Sequence, residues 1–513
     1  MHDRDRHGEK RGPLYHLDHR RPRTRREFLG QGFLTGAATV MGPTLWGLLR
    51  SDAARAQALN CGIGGALQNR IPMIVIDLGG GASTSGSNVM VGTNTQTDGL
   101  LSEAGYMKLG LPLDMTPIAD PNVIVGLPTV PPDPTDLGIT FHDTSALLDG
   151  IRARASDATL GNTNGAVFCA RSDNDTGNNP HNPMYGLYHA GLDGDVVTLI
   201  GSEASDSGGR SMAPAGMIDP SVRPTKVDRP SDATGLVDTG KLVQLLNEDD
   251  AAAVMLAVQN ISDRKVGAIT EDVLIEELIQ CGYRQTTDLV TRFGSPAAFD
   301  PEADAVINGI FPEGITARSE YRKTASVMKL VANRLAGAGT VQFGGYDYHD
   351  STRATGERKD RIAGECIGAI LQYAANRLDG LGQPDPTPIV VYILSDGSVF
   401  SDGVLDNSAD GGGKGIWRGD NSSTASTIML VYDPDGRPTM NPAVGHQVGR
   451  FKANGSVDTD ATIIAGEVPL LTEAIVLNYV ALHNDVVNFD TYLNHSLGTD
   501  LDSLTAFAPL PRF

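Results

Sequence analysis

Pro72-Met73-Ile74-Val75-Ile76 is an unbroken apolar run that ends on Asp77 and then on Leu78-Gly79-Gly80-Gly81-Ala82-Ser83-Thr84-Ser85. Apolar and β-branched residues that give way to an acid, glycines and hydroxyls predict a buried strand emptying into a loop. The same beat returns at residues 138–142, 165–169, 196–200, 340–343, 388–394 and 426–432, each a short strand-like run. Between them, apolar residues at helical spacing predict helices over 144–154, 318–336, 357–379 and 468–484. Strands alternating with helices of this length predict an α/β fold, a mostly parallel sheet with helices on both faces.

Two further helices are predicted without a place in that alternation. Leu242, Val243, Leu245 and Leu246 share one face over 239–259, and Val273, Leu274, Leu278 and Ile279 share one over 270–292. They predict a helical insertion or cap, at about 235–315, beside a single large α/β domain of residues 59–513. Proline-rich residues 126–136 and the Ser/Gly/Pro-rich residues 202–234 read as surface loops.

Composition agrees with a globular chain: 40% hydrophobic and 20% charged over 513 residues. Aromatic residues at 5% are too few for a stacking surface that would hold sugars or single-stranded nucleic acid. Charge is distributed unevenly. Residues 1–58 carry 11 basic and 6 acidic side chains, leaving 30 basic against 56 acidic ones, a net of −26, on the remainder. A body that acidic repels phosphate backbones, which argues against a nucleic-acid partner and suits cation binding or plain solubility.

The basic opening leads into Thr24-Arg25-Arg26-Glu27-Phe28-Leu29, a glycine-rich apolar stretch to Leu49, and Ala54-Arg55-Ala56. Paired arginines, a moderately apolar core and an Ala-x-Ala site together resemble a twin-arginine (Tat) export signal over residues 1–58. The expectation is therefore a periplasmic or secreted protein whose partner during export is the Tat translocase. After cleavage no apolar run is long enough for a transmembrane helix. Cys61, Cys169, Cys281 and Cys366 are far apart and lack C-x-x-C spacing, so a structural zinc site is not indicated, while disulfides are open to an exported chain.

Chemistry-bearing residues gather where the strands end. The run 340–343 leads into Gly344-Gly345-Tyr346-Asp347-Tyr348-His349, and the run 388–394 into Ser395-Asp396-Gly397-Ser398. Parallel strands place their carboxyl ends on one edge, where open α/β sheets bind ligands. Asp77, Asp347, His349 and Asp396 can converge there. Three carboxylates and an imidazole suit a divalent metal ion such as Mg, Ca, Mn or Zn. Each acid alone also fits a turn cap; recurrence at three strand ends is what points to a shared ion. Arg171 and His181 border the loop after 165–169 and are the expected substrate-binding side chains. Within that loop Asp173-x-Asp175-x-Gly177 begins like a calcium loop, but Met184 stands where an EF-hand needs glutamate. A P-loop is excluded by Ser87-Asn88 after Gly81-x-x-x-x-Gly86, and there is no Gly-x-Ser-x-Gly elbow. His446 reads as a loop residue.

This order of motifs resembles the DUF1501 family, exported proteins of unassigned activity related to the alkaline phosphatase and sulfatase superfamily. Family members usually show Gly-Gly-Trp-Asp-Thr-His, and here Tyr346 and Tyr348 replace Trp and Thr while Asp347 and His349 stand. The family's Ser-Glu-Phe-Gly-Arg-Thr and Asp-His-Gly correspond to Ser395-Asp396-Gly397-Ser398 and Asp420-Asn421-Ser422. The resemblance implies an alkaline phosphatase-like fold and a metal-dependent phosphate or sulfate ester hydrolase. In that reading a hydroxyl of Ser83, Thr84 or Ser85 attacks the ester, activated by metal on Asp77, Asp347, His349 and Asp396. The residue pattern does not choose among the three hydroxyls. The alternative is a non-catalytic envelope or secreted binding or assembly protein on the same fold, which Asn421 in place of the family histidine favours.

Overall fold

Leu78, the last residue of the first strand, lies in register between Phe343 and Ser395, so three strands end flush at one edge of the sheet. The structure, a computed structural model, describes residues 70–94, 99–125, 137–172, 179–236, 299–379 and 381–512. All of these belong to one unit of the chain. The export segment, Asp173 and Asp175, Cys61 and Cys281, and the two helices expected within 239–292 lie outside the described residues.

The strands are β1 (Met73–Leu78), β2 (Thr163–Phe168), β3 (Val197–Gly201), β4 (Thr225–Lys226), β5 (Ala336–Phe343), β6 (Ile389–Ser395), β7 (Thr427–Tyr432) and β8 (Gln447–Val448). They form one eight-stranded sheet in the order β8-β2-β7-β6-β1-β5-β3-β4. Every neighbouring pair is parallel except the two that β7 makes, with β6 and with β2. The expected α/β sheet is therefore present, with one reversed strand.

The main helices are α1 (Ala146–Arg154), α2 (Met184–His189), α3 (Ser319–Ala332), α4 (Ala354–Asn376) and α5 (Val468–Leu482). Successive residues of a strand face opposite sides. Met73 and Val75, with Val390, Tyr392 and Leu394, join one core with residues of α2 and α5. The other face of the sheet receives α3: a Cβ on Gly339 of β5 would lie 2.6 Å from Val327 and 2.9 Å from Val331. Removing such apolar side chains from water stabilises the fold by roughly 1.5–3 kcal/mol each. α4 packs on α1 through glycines, since a Cβ on Gly364 would lie 2.1 Å from the Leu147 carbonyl.

Several elements differ from expectation: α2, β4 and β8 fall where no element was expected. β5 begins at Ala336 rather than at 340, and the strand expected over 138–142 reduces to Phe141–His142, paired with Ile124–Val125. Of the expected insertion at about 235–315, residues 235–236 and 299–315 are described, and in the latter Ile307 is buried and Asp304 pairs with Lys329 of α3 at 2.5 Å. No helix among the described residues is long and apolar enough to cross a membrane. Cys169 and Cys366 are free, buried thiols, and burial pushes both well up from the usual thiol range.

Candidate metal centre

The segment after β5 keeps a strand-like alternation that sorts its side chains. Tyr346 and Tyr348 are buried, whereas the side chains of Asp347 and His349 are 48% and 38% exposed. The tyrosines anchor the segment to consecutive residues of α4: Tyr346 Oη donates to the Lys359 carbonyl at 2.7 Å, and Tyr348 Oη to Asp360 Oδ1 at 3.0 Å. Turned the other way, His349 Nε2 lies 2.6 Å from Asp347 Oδ1 and 3.4 Å from Asp420 Oδ1. One ligand atom from each of Asp347, His349 and Asp420 falls within 4.8 Å of the others. Asp420 is delivered by a two-stranded ribbon, Val399–Phe400 against Gly419–Asp420, that follows β6. Two carboxylates and one imidazole on the open edge of a sheet make a potential divalent-cation triad.

Behind the triad lies a second, buried acidic layer. Asp77 Oδ2 accepts from the backbone N–H of Arg210 at 2.7 Å and of Ser211 at 2.8 Å, while Ser211 Oγ donates to Oδ1 at 3.0 Å. Asp396 Oδ1 accepts from Gly80 N at 2.6 Å and Oδ2 from Arg210 Nε at 2.7 Å. Burial pushes the Asp77 carboxyl up to about 6 against the Ser211 N–H, with repulsion from Asp396 adding to the rise. Burial likewise raises Asp396, opposed by Gly80 and Arg210. Gly80 joins the two layers, because its N–H reaches Asp396 while a Cβ on it would lie 2.4 Å from Asp347 N.

The four expected metal ligands are thus divided between layers. Asp347 and His349 stand in the triad with Asp420, and Asp77 and Asp396 support the floor with both carboxylate oxygens engaged by protein donors. The expected nucleophiles are not presented to solvent. Ser83, Thr84 and Ser85 are all buried; Thr84 Oγ1 donates to the Ser426 carbonyl at 2.7 Å, Ser85 Oγ lies 2.7 Å from Ser426 Oγ, and Ser83 Oγ turns back to the Ser85 carbonyl. The Thr84 and Ser85 hydroxyls tie the glycine loop to Ser426, just before β7. Of the expected substrate-binding residues, Arg171 is exposed and its Nη2 donates to Ser422 Oγ at 3.1 Å, close in sequence to Asp420. His181 is only 1% exposed, and neither ring nitrogen has a hydrogen-bond partner among the described residues. Burial pushes it down to about 3. His446 holds the Gly165 carbonyl through Nδ1 at 3.0 Å, a loop role.

Two residues of this arrangement are not among the expected site residues. Asp420 sits in a short ribbon with no apolar run to mark it, and only the Asp420-Asn421-Ser422 motif points to it, while Arg210 lies inside the polar 202–234 loop, where Gly208-Gly209 beside an arginine is the one available signal.

Fold and site together define an α/β protein with a potential cation triad at the carboxyl edge of its sheet. Comparison with protein-family models, with curated proteins and with solved structures gives no match.

Proposed function

We propose that this chain is an exported, divalent-cation-dependent hydrolase of phosphate or sulfate esters, akin to the alkaline phosphatase and sulfatase superfamily that its DUF1501-like motifs resemble. One observation carries the reading: Asp347, His349 and Asp420 bring three ligand atoms within 4.8 Å at the sheet edge, on side chains still partly open to solvent. A divalent ion held there supplies Lewis-acid polarisation of an ester oxygen. Arg171 offers a cation for the anionic ester, and the Asp77–Asp396–Arg210 layer fixes the glycine loop on which Asp347 rests. The Tat-like segment supports export to the periplasm or beyond.

A second reading has its own support. Ser83, Thr84 and Ser85 are buried and engaged, so the loop presents no hydroxyl nucleophile, and this favours a non-catalytic cation-binding envelope or secreted protein on the same fold. Metal analysis of the purified protein, with assays on aryl phosphate and aryl sulfate esters in added Mn²⁺ or Zn²⁺, separates the two. The hydrolase reading expects stoichiometric ion and turnover, both lost in Asp347→Ala and His349→Ala. Bound ion without turnover supports the binding protein, and no bound ion overturns both.

A further inference from the structure

The tyrosines between the candidate ligands lead into a buried polar network beneath the loop. Tyr348 Oη accepts from Ser83 N at 2.9 Å and donates to Asp360 Oδ1 at 3.0 Å. Asp360 Oδ2 accepts from Asn88 Nδ2 at 2.7 Å. The Asn88 amide cannot turn round without cost, because its Oδ1 accepts from Ser145 Oγ at 3.1 Å and from Leu147 N at 3.3 Å. Nor can the tyrosine hydroxyl readily reverse, since its oxygen already faces the Ser83 N–H. Both Asp360 oxygens are therefore acceptors. A carboxylate suits that geometry, whereas a carboxylic acid sets a proton against either the Asn88 amide or the Tyr348 hydroxyl.

We propose that Asp360 is a proton-operated positioning residue for the cation site, its charge holding Tyr348, and through it Asp347 and His349, in the ligating arrangement. The inference rests on reading Asp347, His349 and Asp420 as a cation site. Tyr348 has little other freedom: it is 1% exposed and stacks on Trp417 with ring centroids 6.4 Å apart. The groups that face Asp360 are Glu357 and Arg353 from the start of α4, Lys414 from the loop that joins the two ribbon strands, and Tyr346 and Tyr348 above. Arg353 and Lys414 both pair with Glu357, at 2.6 and 2.8 Å, rather than with Asp360. Burial, seconded by repulsion from Glu357, accordingly pushes Asp360 up to about 7. Above neutrality the carboxylate holds the loop; below it, protonation frees Tyr348 and loosens the ligands it separates.

Calorimetric titration of the full chain with Mn²⁺ between pH 6 and 8.5 tests this. Affinity in the unsubstituted protein should fall on acidification, and more steeply than in the two variants that break the link. Asp360→Asn should bind about tenfold more weakly at pH 8, the usual scale for a supporting partner, with a slope shallower by about one proton. Tyr348→Phe keeps the ring and its stacking but cuts the link, so it should show the same shallower slope with Asp360 intact; it also serves if Asp360→Asn folds poorly. A purely structural role would weaken binding without altering the slope. Bound Mn²⁺ with identical slopes in the variants and the unsubstituted protein overturns the proton linkage alone, whereas no Mn²⁺ binding in the unsubstituted protein overturns the cation site beneath it.

Discussion

Gly80 is the residue on which the two acidic layers meet. Its φ is +130°, a conformation that side-chain-bearing residues rarely adopt, and a Cβ there would lie 2.4 Å from Asp347 N. Gly80→Ala should therefore cost about 1–3 kcal/mol in backbone strain and also displace Asp347. Urea unfolding and Mn²⁺ binding should both report the change, while Gly216→Ala, where nothing lies within 4 Å, should leave both intact. A variant that binds Mn²⁺ normally would sink this role. At this scale the sequence is legible as chemistry but not as depth. Asp77, Asp347 and Asp396 announce themselves at the ends of apolar runs, yet nothing in those runs tells that two of them end up under hydrogen-bond donors and one in the open. The alternation Tyr346-Asp347-Tyr348-His349 does carry that information once the tyrosines are read as the buried side. Ser83, Thr84 and Ser85 look like nucleophiles for the reason that they make good ties: a hydroxyl can donate to the neighbouring loop as readily as to a base.

At the scale of elements, the contact between α1 and α4 sets two effects against each other. Alanine in place of glycine inside a helix is favoured by about 1 kcal/mol through backbone entropy. At Gly364 the added carbon would sit 2.1 Å from the Leu147 carbonyl, an overlap that can be relieved only by moving α1, and overpacking of that kind costs about 1–3 kcal/mol. Overlap wins, so Gly364→Ala should lower the urea midpoint. Gly309→Ala, in the helix Ala305–Ile310 with nothing within 4 Å, should raise it. Equal shifts in the two variants would refute the close-packing account. Small residues at contacts also explain which elements were hard to read. Ala336-Gly337-Ala338-Gly339 lacks the β-branched bulk that marks a strand, because α3 presses on Gly339 and the chain near Asp193 on Gly337. The reversed direction of β7 leaves no trace in a buried run such as Thr427–Tyr432, since direction is fixed by the connections and not by the residues of the strand.

For the whole molecule, buried titratable groups couple folding to pH in opposite senses, and the sign follows from which state holds more protons. Asp77 and Asp360, raised to about 6 and about 7, keep protons in the folded chain that the unfolded chain has released, so between about pH 4 and their own values they make stability fall as pH rises. His181 and His483, each pushed down to about 3, do the reverse, because the unfolded chain takes protons below about 6.5 that the fold refuses. For His483 burial is the first cause, and its Nε2 is already accepting from Ile71 N at 3.0 Å. From about pH 4 to 6 the two senses oppose each other in the stability profile, buried acids such as Asp77, Asp360 and Asp396 against buried histidines such as His142, His181 and His483. Removing one member should tilt it. His181→Leu deletes a ring whose nitrogens have no partners among the described residues, so it should cost little at pH 8. On acidification from pH 6.5 to 4 the variant should gain on the unsubstituted protein by about 1.4 kcal/mol per pH unit. Urea denaturation across that range measures the difference directly, and parallel profiles for the two proteins would show that His181 is protonated, and therefore partnered, in the folded chain.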